Sequence, residues 1–327
     1  NTGTLRAINN ATLEITGGTY TNTGGTLEAQ TGSTVRFESA TVVGGSLTSA
    51  GTGHLVHASN SSFTDVTLST GSLFDSNNNT AVTFGGTFTN QGTFKLNSAG
   101  NLTDFVAVAS GLTLSGGGAI TFSNNGNNRL YGATSTTTLV NQNNTISGAG
   151  QIGINQLQLD NRSLIEANLA GATLTLDPSG SGAINTGTLQ ALNGGILQLQ
   201  GGTFNNAGGL IRALGASTVQ VDGATVAGGT LDVAANASLT LHSSTINGGT
   251  LTGVATGAIR TVGGASTLGG AVTIAAGTEV TVANNTSLAL LASGTYANSG
   301  NISLASVGNL TDLIVSGGYV ALSGGGS

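Results

Sequence analysis

The chain has 327 residues with 55 glycines and one proline, and only 6% of it is charged, giving a net charge of −6. With no cysteine, disulfides and thiolate metal sites are excluded. Seven basic residues against thirteen acids leave no positive stripe for a nucleic acid.

Read from the start, Thr4-Leu-Arg-Ala7, Thr12-Leu-Glu-Ile15 and Thr19-Tyr-Thr21 each alternate side-chain character, with Gly, Asn and Ser turns between them. Alternation over four or five residues with β-branched enrichment predicts three short strands. Gly18-Thr-Tyr-Thr-Asn-Thr-Gly24 then recurs as Gly86-Thr-Phe-Thr-Asn-Gln-Gly92, Gly202-Thr-Phe-Asn-Asn-Ala-Gly208 and Gly294-Thr-Tyr-Ala-Asn-Ser-Gly300. The gaps are 68 (18 to 86), 116 (86 to 202) and 92 (202 to 294), close to whole multiples of about 23. No segment keeps a helical period. The pattern predicts an all-β parallel β-helix (β-solenoid) of about 14 coils of about 23 residues, three short strands each, around a narrow core of Leu, Val, Ile and Ala. Asp177-Pro-Ser-Gly-Ser-Gly182 is expected to be an irregular coil, because proline removes a ladder donor.

A longer repeat overlies the short one. Residues 1–55 reappear as 185–239, and Gly100-Asn-Leu-Thr-Asp104 and Leu114-Ser-Gly-Gly-Gly118 return at 308–312 and 322–326. The shifts are 184 (1 to 185) and 208 (101 to 309), so about one coil was gained between them. The organisation read here is one continuous solenoid over 1–327, made of a long repeat (1–184) partly repeated as 185–327. Between copies Leu5, Leu13, Ile15, Val35 and Phe37 become Leu189, Leu197, Leu199, Val219 and Val221, while Arg6, Glu14 and Arg36 become Gln190, Gln198 and Gln220. An apolar inside and a drifting polar outside follow. The chain starts at Asn1 without methionine and shows no signal peptide, no polar capping repeat and no apolar run of membrane-spanning length. It reads as a segment of a longer chain, or as copies that self-associate end to end or side by side into filaments.

Among candidate chemical groups, Arg6 and Glu28 occupy matching places in successive coils, as do Glu14 and Arg36, which predicts charge pairs on the outer face. The thirteen acids are otherwise scattered. A polysaccharide-degrading β-helix needs two carboxylates at fixed separation, or acids gathering a metal, and few bases are present to hold an acidic sugar. No catalytic residue, cofactor or metal site is therefore expected. His54 and His57, three apart on a strand, should point to opposite faces, and His242 stands alone. Asn22, Asn90, Asn206 and Asn298 hold one place in the four-copy motif, each two residues after an aromatic: Tyr20, Phe88, Phe204 and Tyr296. These eight are expected to be structural corner or stacking residues, with the asparagines serving left-handed turns or local amide stacks. The rival expectation is a groove of exposed Tyr and Asn binding a glycan or host surface, sought around Asn124–Tyr131 or the Pro178 loop. Sequons such as Asn10-Ala-Thr12, Asn161-Arg-Ser163 and Asn309-Leu-Thr311 arise readily in so Asn- and Thr-rich a chain.

The stretch Leu114-Ser-Gly-Gly-Gly-Ala-Ile-Thr-Phe122, Asn128-Arg-Leu-Tyr-Gly132 and Thr138-Leu-Val-Asn-Gln-Asn-Asn-Thr-Ile-Ser-Gly-Ala-Gly-Gln-Ile-Gly153 resembles the giant β-strand-repeat exoproteins of bacteria, related to filamentous haemagglutinins and autotransporter passengers. The repeat style extends over the whole chain. The resemblance implies a secreted, right-handed β-helix at the bacterial cell surface or outside it, serving as an adhesin shaft, surface fibre or biofilm matrix component. It carries over no catalytic residues.

Overall fold

A computed structural model describes every residue except Ala255, Ser293 and Gly294. The described residues form parallel β-solenoid structure of about 14 turns, with no helix among them. Close contacts group the chain into two compact units, Asn1–Ile165 and Glu166–Ser327. This boundary lies ahead of Asn185, where the second copy of the long sequence repeat begins.

In the first unit three ladders run side by side. One contains Thr4–Ala7, Thr26–Ala29, Ser46–Ser49 and Thr67–Leu68. The next contains Thr12–Thr16, Thr34–Glu38, His54–His57, Leu73–Ser76 and Thr93–Leu96. The last contains Thr19–Thr21, Thr41–Val43, Ser61–Thr64 and Ala81–Asn90. Every pairing in these ladders is parallel. The second unit repeats the scheme, with Thr173–Leu176, Ile196–Gln200, Thr218–Asp222 and Ser238–His242 forming one of its ladders.

Coil length varies more than one constant period allows. Thr4 to Thr26, Thr26 to Ser46 and Ser46 to Thr67 are steps of 22, 20 and 21 residues, whereas Thr93 to Ala119 and Ala119 to Thr145 are each 26. The longer coils absorb their extra residues at corners. Within Ala81–Asn90 the partner jumps from Ala107, opposite Phe84, to Leu112, opposite Gly86, and Gly86 has φ +65°. The strand thus turns a corner without ending.

Alternation decides which side chains enter the coil. In Thr26–Ala29 and Thr34–Glu38 every second residue is buried, so Leu27, Val35 and Phe37 face in while Glu28 and Arg36 face out. Leu197 and Leu199 are fully buried and Ile15 nearly so. Leu13 is half-buried and Leu5 is 40% exposed, because their rung has a neighbour on one side only.

The interior departs from an aliphatic core. In the first unit Phe37, Phe63, Phe74, Phe84, Phe94 and Phe105 are fully buried and joined by ring contacts into one cluster. Phe84 stacks on Phe88 at 4.4 Å and on Phe105 at 4.6 Å between ring centroids. These residues lie at unequal sequence intervals, and only the stacking of rungs of different length brings them together. The second unit keeps the expected aliphatic filling, with Phe204 and Tyr296 as its large buried rings.

Candidate functional site

The residues marked by the four-copy motif are mostly inside. Asn22, Asn90 and Asn206 are fully buried and Asn298 is 7% exposed; Phe88 and Phe204 are fully buried, Tyr296 is buried and Tyr20 is half-buried. Gly294, which opens the fourth copy, lies outside the described residues. Buried rings are closed to stacking on a sugar. Tyr20 donates its hydroxyl to the Thr16 carbonyl at 3.0 Å, and the Tyr296 hydroxyl lies 2.8 Å from the Leu268 carbonyl and 3.0 Å from that of Leu291.

The asparagines work through their amides in two ways, which follow the two repeat shifts. Asn22 Nδ2 donates to the Gly25 carbonyl at 3.3 Å, and Asn22 Oδ1 accepts from Asn1 Nδ2 at 2.8 Å. Asn206 does the same with the Gly209 carbonyl, at 3.3 Å, and with Asn185 Nδ2, at 2.7 Å. By contrast, Asn90 Oδ1 accepts the Gly92 N–H and its Nδ2 donates to the Ala119 carbonyl of the next rung. Asn298 repeats this with Gly300 and Ser327. A buried amide left without partners is costly, so each corner is fixed by satisfying it. The left-handed turn expected at these asparagines is absent, because none of the four has a positive φ. That conformation is taken by glycines such as Gly24 (φ +79°) and Gly208 (φ +80°), and by other asparagines such as Asn193 (φ +56°) and Asn236 (φ +62°).

Stacked amide pairs are therefore present, and their second members escaped the motif. They are Asn1 under Asn22, Asn185 under Asn206 and Asn144 beside Asn90, with Asn141 and Asn161 forming a further pair at 2.9 Å. For Asn1 and Asn185 a signal existed: each opens an Asn-Thr-Gly one coil before the motif asparagine.

The outer face carries charge ladders where adjacent coils place them. Arg6 Nε donates to Glu28 at 2.7 Å, and Arg36 lies 3.7 Å from Glu14 and also pairs with Glu38. Gln190, placed outside by its alternation, is only 5% exposed, because Glu166 and Arg212 close over it from either side. The Asn124–Tyr131 region holds a closed group instead of an open groove. Arg129 makes two 2.7 Å bonds to Asp104, Tyr131 Oη donates to the same carboxylate at 3.2 Å, and the guanidinium lies 5.2 Å from the Tyr131 ring centre. The bond to Asp104 holds the Arg129 pKa up, while burial first and Asp104 second raise that of Tyr131.

His54 and His57 point to opposite faces. His54 is exposed, with Nδ1 3.4 Å from Asp75, and His57 is fully buried. The Ser61 N–H donates to His57 Nε2 at 3.2 Å, and Nδ1 lies 3.0 Å from Ser76 Oγ and 3.2 Å from Thr80 Oγ1. A ring accepting that N–H is neutral. Burial holds its pKa down at about 4, against the usual 6.5, with the Ser59 backbone opposing in part. The unfolded chain therefore takes up a proton first, and stability present above about pH 6.5 is lost as the pH falls towards 4, by up to about 3 kcal/mol. Urea unfolding followed between those pH values should show this slope in the native chain and a flatter one in His57→Asn. Equal slopes would show that His57 does not carry the proton uptake.

His242 Nδ1 lies 2.6 Å from Asp222, which also accepts from Gln198 at 3.1 Å. The surface hollow lined by Gln220, Asp222 and His242 holds one carboxylate, as do those around Glu279 and around Asp312. Among the described residues no three of His, Asp and Glu gather as metal ligands. Compared with protein-family models, with characterised proteins and with solved structures, the chain finds no match.

Proposed function

We propose that this chain is a structural segment of an extracellular bacterial β-solenoid, acting mechanically as a stiff shaft, fibre or adhesive stalk. The observation that carries this reading is where the marked residues are spent. The motif aromatics fill the coil, the motif asparagines fix its corners, and the outer charges bridge one rung to the next. In such an array each coil contacts only its neighbours, so length grows by duplication without a new fold. Each ladder bond contributes about 0.5–1.5 kcal/mol, but many must break together under load or protease attack. We take the winding to be right-handed, the sense that parallel strand crossovers favour, with a mean coil of about 23 residues.

Self-association into filaments, end to end or side by side, belongs to the same reading. A surface sparse in charge and rich in Thr, Asn and Gly suits close packing. Electron microscopy of the purified protein is expected to show extended particles or filaments. A field of isolated compact particles would remove the fibre proposal, and measured depolymerisation of a polysaccharide would replace it with an enzyme.

A further inference from the structure

We propose that the Asp177–Pro178 peptide bond is a self-cleavage site, at which the Asp177 side chain cuts its own main chain. Pro178 is the only proline, so this is the only Asp–Pro bond in the chain. It lies between the strands Thr173–Leu176 and Ala183–Asn185, in a stretch that carries no strand itself. Pro178 is buried and Asp177 half-buried. Other acids of this unit are tied down: Asp222 by Gln198 and His242, Asp232 by Thr252, and Glu279 by Ser303. Among the described residues Asp177 has neither a hydrogen-bond donor nor a cation. A methyl group built on Gly201 would lie 3.8 Å from its Oδ1, which places the carboxyl against bare backbone. Burial pushes that carboxyl up, and nothing opposes the shift.

The chemistry uses only water besides the chain. A side-chain oxygen of Asp177 attacks the Asp177 carbonyl carbon, forming a C–O bond in a five-membered anhydride. The C–N bond to Pro178 breaks, and the carboxyl proton passes to the proline nitrogen, which leaves as a secondary amine. One water then opens the anhydride, leaving Asp177 with a free α-carboxyl group. Nothing is oxidised or reduced. The fold assists by pinning both flanks: Thr173–Leu176 is laddered to Ile196–Gln200, and Ala183–Asn185 to Thr203–Asn205. The residue before a proline is also confined to extended conformations. The main chain on both sides of the bond is thus ordered before reaction, which lowers its entropic barrier. The same ladders keep both pieces in place afterwards, so the product is a nicked but assembled coil.

The test is intact-mass analysis of the full chain held at about pH 5, a mildly acidic value for a raised carboxyl, natively and in urea. The expected products end at Asp177 and begin at Pro178, and together exceed the parent by the mass of one water. They should form at least roughly tenfold faster in the native chain than in urea, co-elute in size exclusion and separate only on denaturation. Asp177→Asn and Pro178→Ala should each slow cleavage by a similar factor, with circular dichroism unchanged. An uncut native chain overturns the proposal. So does cleavage no faster than in urea, which is the ordinary acid lability of such a bond and needs no variant to detect.

Discussion

Replacing Phe84 with alanine is expected to destabilise the first unit by about 3–5 kcal/mol, the usual cost of deleting a buried ring. Phe84 is fully buried and its ring lies within 5.5 Å, centre to centre, of Phe63, Phe88, Phe94 and Phe105. The cavity therefore opens where four other rings meet, and aromatic pairs contribute about 0.5–1.5 kcal/mol each beyond their area. Phe204→Ala is the matched control, since Phe204 is equally buried but has no ring contact among the described residues. Urea unfolding with hydrogen exchange on the affected rungs would separate the two. Equal losses would show that the aromatic cluster adds nothing to simple burial.

Gly229→Ala is expected to disrupt the Asn206 corner, at a cost of about 3–5 kcal/mol, from left-handed strain plus a clash with fixed backbone. Gly229 has φ +69°, and a Cβ there would fall inside contact distance of Asn206 O and Nδ2 and lie 2.7 Å from the Gly209 carbonyl. Those atoms cannot retreat, because Asn206 Nδ2 already bonds the Gly209 carbonyl and Oδ1 bonds Asn185. Gly208→Ala isolates the backbone term. It has φ +80° but nothing within 4 Å of the added Cβ, so its cost should stay near 1–2 kcal/mol. Because solenoid stability is summed from neighbouring coils, exchange protection should fall around residues 203–213 and 225–233 first. A similar effect from both variants would show that the packed amide corner is not what demands glycine.

These two sites mark the limits of what could be read in advance. The glycine in the Asn22-x-Gly24 and Asn206-x-Gly208 corners was visible as a turn, and the asparagine as a repeated polar residue. Which of the two carries the left-handed backbone was not. Alternation placed Ile15, Val35 and Leu197 inside and Glu28 and Arg36 outside, because period-two side-chain direction is local to a strand. It also placed Gln190 outside, correctly in direction, but gave no sign that Glu166 and Arg212 would cover it. Pairing of Arg6 with Glu28 was legible because one coil separates them at a constant offset. Asn90 meeting Asn144 was not, since that contact spans two 26-residue coils.

By itself the amino-acid sequence determined the strand text, the parallel stacking and the faces, because alternation and repetition are short-range properties that every coil carries. The tertiary structure alone decided where coils lengthen at corners, which rings meet in the Phe84 cluster, and which amides find partners. Those outcomes depend on the accumulated offset between rungs of 19 to 27 residues, and such an offset exists only once the coils are stacked.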